Sequence, residues 1–489
     1  MNAWLPLLLL FAPLAGALWI VAAAKRPNLR EAGSLVSAAV MAVAGALIVL
    51  RTADGDPVGV TLLPLVPGAP LELRADGLGA FFAMMASCLW LLTTLYSIGY
   101  MRGAKEKAQT RYYFWFAVCL MSVAGLSLSA NLPTFFVFYE LLTIATYPLV
   151  VHKQNAEAIA AGRQYLAYAL TAGLVLLVAI LWTHALGGSL DLQAGGVLPG
   201  DVPPSVISAL FILFIAGVSV KAGVMPLHSW LPSAMVAPTP VSALLHAVAV
   251  VKAGVFGVAR VIGWVFGPEV LGDHGGATVL AWFAAVTILV SSLIALLQDN
   301  LKRRLAFSTV GQLSYCVLGL ALLTPDSMAG GMFHMLGHGL MKITLFFCAG
   351  AIYVTTKKTN VSQLDGIGRQ MPFTMIAFAI AAIGLAGFPP LVGFTGKWLI
   401  LQGTIETGQL AFAAILIISG VLNIAYLFPI VLRAFFRESP DHPRLSDARP
   451  ALLAPLLITA TLALVVGLFP DAPFQLLALV RHSAGEVMP

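Results

Sequence analysis

Apolar stretches of about twenty residues recur along the whole sequence, each closed by a short polar interruption. An α-helix needs about that length to cross the ~30 Å hydrocarbon core of a bilayer. The pattern predicts fourteen spans, at 3–24, 33–51, 77–100, 112–129, 131–152, 161–186, 205–226, 241–263, 277–298, 304–323, 330–356, 371–402, 407–435 and 451–469. Between the second and third lies a Pro/Gly-rich stretch, 52–76, read as an external loop. After the last comes a short tail, 470–489. The fold class is therefore all-α integral membrane.

Composition removes the competing classes. Of 489 residues, 60% are hydrophobic and 10% charged, where a soluble domain carries about 25% charged residues. Too little polar surface remains to cover even one soluble domain. The net charge of +6 does not point to nucleic acid, because the basic residues are scattered between apolar runs and form no patch. Cys88, Cys119, Cys316 and Cys348 make no CxxC or CxxH pair, so no metal and no cofactor is expected. In a secretory signal the positive charges precede the apolar run. Here Lys25, Arg26 and Arg30 follow it, which suits a retained first helix.

Charge also orients the spans, since basic residues collect in cytoplasmic loops. With the N-terminus outside, the loops after odd-numbered spans are cytoplasmic and carry most of the basic residues, Lys302, Arg303 and Arg304 among them. The opposite side holds only Arg51, Arg74, Arg260 and Arg481. This predicts a multi-pass protein of a bacterial inner membrane with both termini on the outer side.

The hexapeptide A-G-x-x-P-L occurs twice, at 222–227 in span seven and at 386–391 in span twelve. The copies are an odd number of spans apart, so they run through the membrane in opposite directions. That is the mark of inverted repeats, in which proline-broken helices carry the transport site. Pro226, Pro389 and Pro390 are the expected helix breaks. Simple proline kinks are the plainer alternative.

Ionisable residues inside spans are functional candidates by default, because each costs ~2.5–3.5 kcal/mol or more at mid-bilayer. Glu140 is the acid of span five and needs a cation to stay charged; Lys221, one residue before the first break, is the expected ion-pair partner. A static structural pair is the alternative. His246 and Lys252 lie six apart in span eight and suit a water chain crossing between helices. His334, His338 and Lys342 recur every fourth residue and form one polar stripe along span eleven. A His pair at that spacing can bind zinc, but Met335 stands where a zinc protease has glutamate, and a lysine one turn on repels a metal. Lys397 follows the second break. Asp299 and Lys302 flank the end of span nine, as an interfacial pair or as a proton-uptake group.

These residues resemble the antiporter-like proton-translocating subunits shared by respiratory complex I and Mrp-type cation/proton antiporters. The resemblance rests on Lys221-Ala222-Gly223, on Pro226 to Pro232 (PLHSWLP), on Ala237 to His246 (APTPVSALLH), on Phe138-Tyr139-Glu140, on Leu305 to Gln312 (LAFSTVGQ) and on Gly387-Phe388-Pro389-Pro390. It implies two inverted five-helix repeats. The division is then 1–111 (helices 1–3), 112–263 (first repeat), 277–435 (second repeat) and 436–489 (helix 14 and tail). It further implies that Glu140 and Lys221 are the family's ion pair, Lys252 its central lysine, the 334/338/342 stripe its second half and Lys397 its terminal lysine. The chain would work beside other membrane subunits of a hetero-oligomeric antiporter or respiratory complex, passing protons and, as one option, Na+. It would not be an enzyme on its own. Lys at 397, a length near 490 and a tail too short for a long lateral helix resemble the D-type component of Mrp antiporters most. A pump subunit of a complex I-like NADH:quinone oxidoreductase or of a membrane-bound hydrogenase, and a stand-alone secondary transporter, are the alternatives.

Overall fold

The computed structural model describes residues 3–66, 68–439 and 444–488; small parts of the predicted 52–76 loop and of the 436–489 segment lie outside them. Sixteen helices carry the architecture: α1 Trp4–Ala22, α2 Pro27–Ala53, α3 Gly77–Gly103, α4 Gln109–Ser127, α5 Leu132–Val150, α6 Ala156–Ala185, α7 Pro204–Ala222, α8 Thr239–Phe266, α9 Gly276–Leu296, α10 Leu301–Ala321, α11 Pro325–Thr356, α12 Pro372–Ala386, α13 Val392–Glu406, α14 Leu410–Phe436, α15 Pro450–Leu468 and α16 Leu476–Val487. Eleven helices among the described residues are long and apolar enough to cross a membrane. Every predicted span coincides with a helix, span twelve with the pair α12 and α13.

Two helices form the interior. Every residue of α8 is buried, and so is α11 from Ser327 to Ile352. The hub is α11, which packs on α3, α8, α10, α12, α13, α15 and α16. The peripheral helices turn apolar side chains outward, as Leu174 and Val178 of α6 and Ile417 and Val421 of α14 show. Ser308, Thr309, Gln312 and Ser314 of α10 are enclosed by neighbouring helices, which is how a membrane segment tolerates such polarity.

The two A-G-x-x-P-L copies end their helices in the same way. Gly223 (φ +72) and Gly387 (φ +100) take the left-handed conformation after α7 and α12. The amides of Val224 and Gly223 reach back to the carbonyls of Ser219 and Val220, and those of Phe388 and Gly387 to Ile383 and Gly384. Both are Schellman terminations, which glycine enters without Cβ strain. The peptides before Pro226 and Pro390 are both cis.

Three expectations need correction. The 52–76 stretch is not only loop: β1 Gly59–Val66 and β2 Ala69–Arg74 form an antiparallel hairpin. Its register shifts between Leu63 and Val66, across Pro64, which has no amide to give the ladder. The 470–489 tail contains α16, whose Leu476, Val480, Ser483 and Val487 make one buried face against α3 and α11. Twelve residues with Arg481, His482 and Glu486 on the open face are too short and too charged to register as a span. Finally, α8 is interrupted at Val248 and Ala249, in a sequence with no glycine or proline there.

Close helix approach fixes α8 against α7. A Cβ on Gly254 would lie 2.1 Å from the Ala222 amide nitrogen and 2.4 Å from the Lys221 carbonyl carbon. Because backbone cannot yield as a side chain can, Gly254→Leu should lower the thermal unfolding temperature in detergent by on the order of 5 °C, given ~1–3 kcal/mol for overpacking. An unfolding temperature equal to that of the wild type would show that this crossing is not a packing constraint.

Candidate functional site

The intramembrane ionisable residues picked out by sequence lie on α5, α7, α8, α11 and α13. Lys221, His246, Lys252, His334, His338 and Lys342 are all fully buried. A buried ammonium needs an acceptor, and each lysine has a single neutral one among the described residues. Lys221 Nζ donates to the Tyr139 carbonyl (2.5 Å), Lys342 Nζ to the Leu305 carbonyl (3.0 Å) and Lys397 Nζ to the Leu385 carbonyl (2.6 Å). Lys252 Nζ lies 2.5 Å from His338 Nδ1.

The expected ion pair is not joined. Lys221 reaches the residue before Glu140, and its Nζ sits 3.2 Å from the Tyr139 ring centre. Tyr139 faces inward, whereas Glu140, next along the helix, is only half-buried. Its carboxyl occupies the space that Gly173 of α6 leaves by lacking a side chain, with Thr143 Oγ1 3.5 Å away. Adjacent positions on a helix point about 100° apart, so the two groups approach the same turn of α5 from different sides.

On α11 the four-residue spacing aligns the stripe as predicted. His338 accepts at Nδ1 from Lys252 when that lysine is charged, which leaves the ring proton on Nε2; that atom is buried with no protein partner among the described residues. His334 Nε2 lies 3.0 Å from Gln312 Oε1 and so donates to it, leaving Nδ1 as a buried acceptor in the same condition. The two rings are 6.3 Å apart, with a donor on one and an acceptor on the other. Buried nitrogens of this kind call for water. Both nitrogens of His246 are in the same position, beside the Phe346 ring at 5.0 Å. Beyond His334 lie Tyr315, 5.7 Å between ring centres, and Lys397, whose Nζ is 4.4 Å from the Tyr315 ring centre.

Carbonyls at the helix breaks take side-chain donors. Trp230 Nε1 donates to the Val220 carbonyl (2.8 Å) at the end of α7, beside the Gly223 amide. The Leu385 carbonyl, whose usual donor position is filled by Pro389, is the one that Lys397 takes.

Lys302 is part-buried and its ammonium holds the carbonyls of Met235 and Ala237, at 2.7 and 2.6 Å, just before α8. It lines a cavity of about 230 Å³ together with Tyr100, Lys153, Glu157 and Thr239. A second cavity of about 590 Å³, lined by Glu157, Gln164, His228, Ser229 and Arg303, adjoins it at the break after α7. Asp299 is apart from the interior series. Its exposed carboxylate accepts from the Ser362 amide (2.9 Å) and hydroxyl (2.7 Å), and these bonds hold its carboxyl below the usual range. It fastens a surface turn.

Sequence reading missed several members. Gln312 Nε2 donates to Asn423 Oδ1 (3.2 Å), and Asn423 meets Tyr426, whose hydroxyl lies 2.7 Å from Ser308 Oγ. Asn423 is a lone amide within an apolar span, which is the signal that would have found it. Glu106 is the other. Burial pushes its carboxyl above the ordinary range, against the opposing pull of Lys153, Lys302 and Lys357.

The family described as NADH:quinone oxidoreductase/Mrp antiporter, TM, matches residues 129–423. The N component of the NADH-quinone oxidoreductase of Desulforudis audaxviator is 31% identical over 96% of this chain and 97% of its own length. The D component of the Na(+)/H(+) antiporter of Bacillus subtilis is 26% identical over 81% of this chain and 80% of its own. A chain of the Mrp complex from Dietzia sp. DQ12-45-1b has the same fold, with a TM-score of 0.87 at 23% identity, covering 99% of this chain and 97% of that one.

The geometry separates Asp299 from the interior lysines. Asp299→Asn and Ser362→Ala should leave transport within about twofold of wild type, as surface changes do, while Lys252→Ala should abolish it. Proton flux in reconstituted vesicles measures this; a severe loss in Asp299→Asn would return that residue to the route.

Proposed function

The chain belongs to the NADH:quinone oxidoreductase/Mrp antiporter family of membrane subunits, and from that membership we propose that it passes protons along the series Lys252, His338, His334 and Lys397, the first three buried and the last half-buried. As a family member it is a multi-pass, antiporter-like proton-translocating subunit that works among other membrane subunits. The observation that carries the route is the Lys252–His338 contact of 2.5 Å, with the far nitrogen of His338 free of protein partners among the described residues.

A ring with two nitrogens takes a proton on one and releases a different proton from the other. Transfer from Lys252 to His338 Nδ1 makes an imidazolium, which sheds its Nε2 proton through water to His334 Nδ1. His334 then carries a proton at both nitrogens, within reach of the Tyr315 and Lys397 end. Lys342 lies one turn from His338 on the same stripe, so a proton on either discourages a proton on the other. Glu140 and Lys221 set the timing: a Lys221 that leaves the Tyr139 carbonyl for the Glu140 carboxylate exchanges a neutral acceptor for an anion, which holds its proton. Uptake runs through the cavities at the α8 start, past Lys302, Thr239 and Tyr100, toward His246.

The paired Schellman breaks support treating 112–263 and 277–435 as inverted halves. The distribution of basic residues supports an inner-membrane placement with both termini outside. The favoured driving reaction is monovalent cation/proton exchange of the Mrp type, supported by a lysine at 397. A redox-driven pump of the complex I kind is the second reading, favoured by 31% identity over nearly the full length of an NADH-quinone oxidoreductase component.

Glu140→Gln and Lys221→Ala should each abolish transport in complexes that still assemble; assembled variants with wild-type flux would remove the timing role. Mass spectrometry of the native complex separates the two energy sources. Small hydrophobic companions alone support exchange, whereas flavin or iron–sulfur subunits support the redox-driven pump.

A further inference from the structure

Proton transfer from Lys252 has two geometric options: sideways to His338, or onward along α8. Two structures stand in the onward direction. Phe256, one turn beyond Lys252 on the same face, packs its ring 5.0 Å from Phe82 of α3 and 6.4 Å from Phe135 of α5. One turn further is Arg260, 2% exposed, whose guanidinium grips Asp76 with two nitrogens on two oxygens. The same guanidinium lies 4.8 Å from the Phe256 ring centre and 4.7 Å from that of Trp264.

Local structure holds this pair in place. Asp76 also caps α3 by accepting from the Gly79 amide (2.7 Å). A Cβ on Gly79 would lie 3.3 Å from Arg260 Nη2 and 2.4 Å from the Ser127 carbonyl, so glycine there lets the fork approach. Beyond Arg260, Gly196 tucks against the Phe266 carbonyl and Val487 of α16 against Gly263. The opposite end of α8 is different in kind, with the cavity at Tyr100, Thr239 and Lys302.

We propose that Phe82, Phe135 and Phe256, backed by the Arg260–Asp76 pair, form a closed barrier that prevents protons on Lys252 from running straight out along α8. An aromatic collar excludes the water file that proton hopping needs, and a fixed guanidinium, which cannot give up its proton, repels an approaching positive charge. Protons then leave Lys252 only through His338, which ties their movement to the state of the second half. The proposal rests on the Lys252 route described above.

The test uses the native complex reconstituted in sealed vesicles, with passive proton leak read by a trapped pH dye under an imposed gradient and no cation to exchange. Phe256→Ala and Arg260→Leu should raise the leak by about a hundredfold, the change expected when a barrier the size of an intramembrane charge is removed. Adding Lys252→Ala to either variant should abolish the extra leak. Asp76→Asn keeps an N-cap residue on α3 but removes the anion that offsets the guanidinium charge, and so should not raise the leak. An unchanged leak in folded Phe256→Ala complexes overturns the barrier, and so does a leak in Asp76→Asn as large as that in Arg260→Leu. So does a leak that persists without Lys252, because it reports general loosening. Lys252→Ala alone with normal coupled transport would instead overturn the underlying route.

Discussion

A lysine ammonium facing hydrocarbon costs at least several kcal/mol, and this chain places four lysines inside apolar spans. The architecture follows from where those charges can be tolerated. Lys252 and Lys342 sit on α8 and α11, the two helices fully wrapped by others, and Lys221 points inward from a half-exposed helix. Enclosure alone does not remove the cost. Each ammonium has a neutral acceptor in place of a carboxylate, so its charge is held without being cancelled. A fully paired lysine would keep its proton; one on a carbonyl or an imidazole stays ready to exchange it.

The helix breaks supply part of those acceptors. An intact helix consumes its carbonyls internally, whereas a terminated one leaves its last carbonyls open. Lys397 takes such a carbonyl at Leu385, where Pro389 provides no amide. Trp230 adds a second bond to the Val220 carbonyl, which the Gly223 amide already reaches, and Lys221 takes its acceptor on α5. The breaks thus do more than open space: one lysine rests on its own broken helix, and the other reaches across.

Much of this was legible before the structure. Spans follow from hydropathy because lipid demands it of every residue it touches, and the interior lysines and histidines stand out because lipid forbids them. The A-G-x-x-P-L copies marked both breaks, since glycine and proline act through the local backbone. The remainder depends on packing. The interruption at Val248 and Ala249 carries no local signal. The 52–76 hairpin was hidden by its own prolines and glycines, and α16 by its short apolar face. Sequence put Glu140 and Lys221 in spans five and seven and paired them, but could not say that Tyr139, one position earlier, would face the lysine. Gln312 and Asn423 join the site only because α10, α11 and α14 meet there.

On the proposed route, direction comes from inequality between the two ends of α8. At Thr239 the helix begins beside cavities, with Lys302 pinning the preceding chain. Toward its other end, at Arg260, it meets an aromatic and ionic closure. His246 and Lys252, between these ends, can receive protons from one side only if the other stays shut. Their remaining neighbour is α11, reached at His338. Because α11 also touches α12 and α13, a proton taken by His338 on the proposed route lies on the helix that packs on the second break. A relay built on a straight path would move protons without that contact; one turned sideways at Lys252 obliges both halves of the molecule to take part.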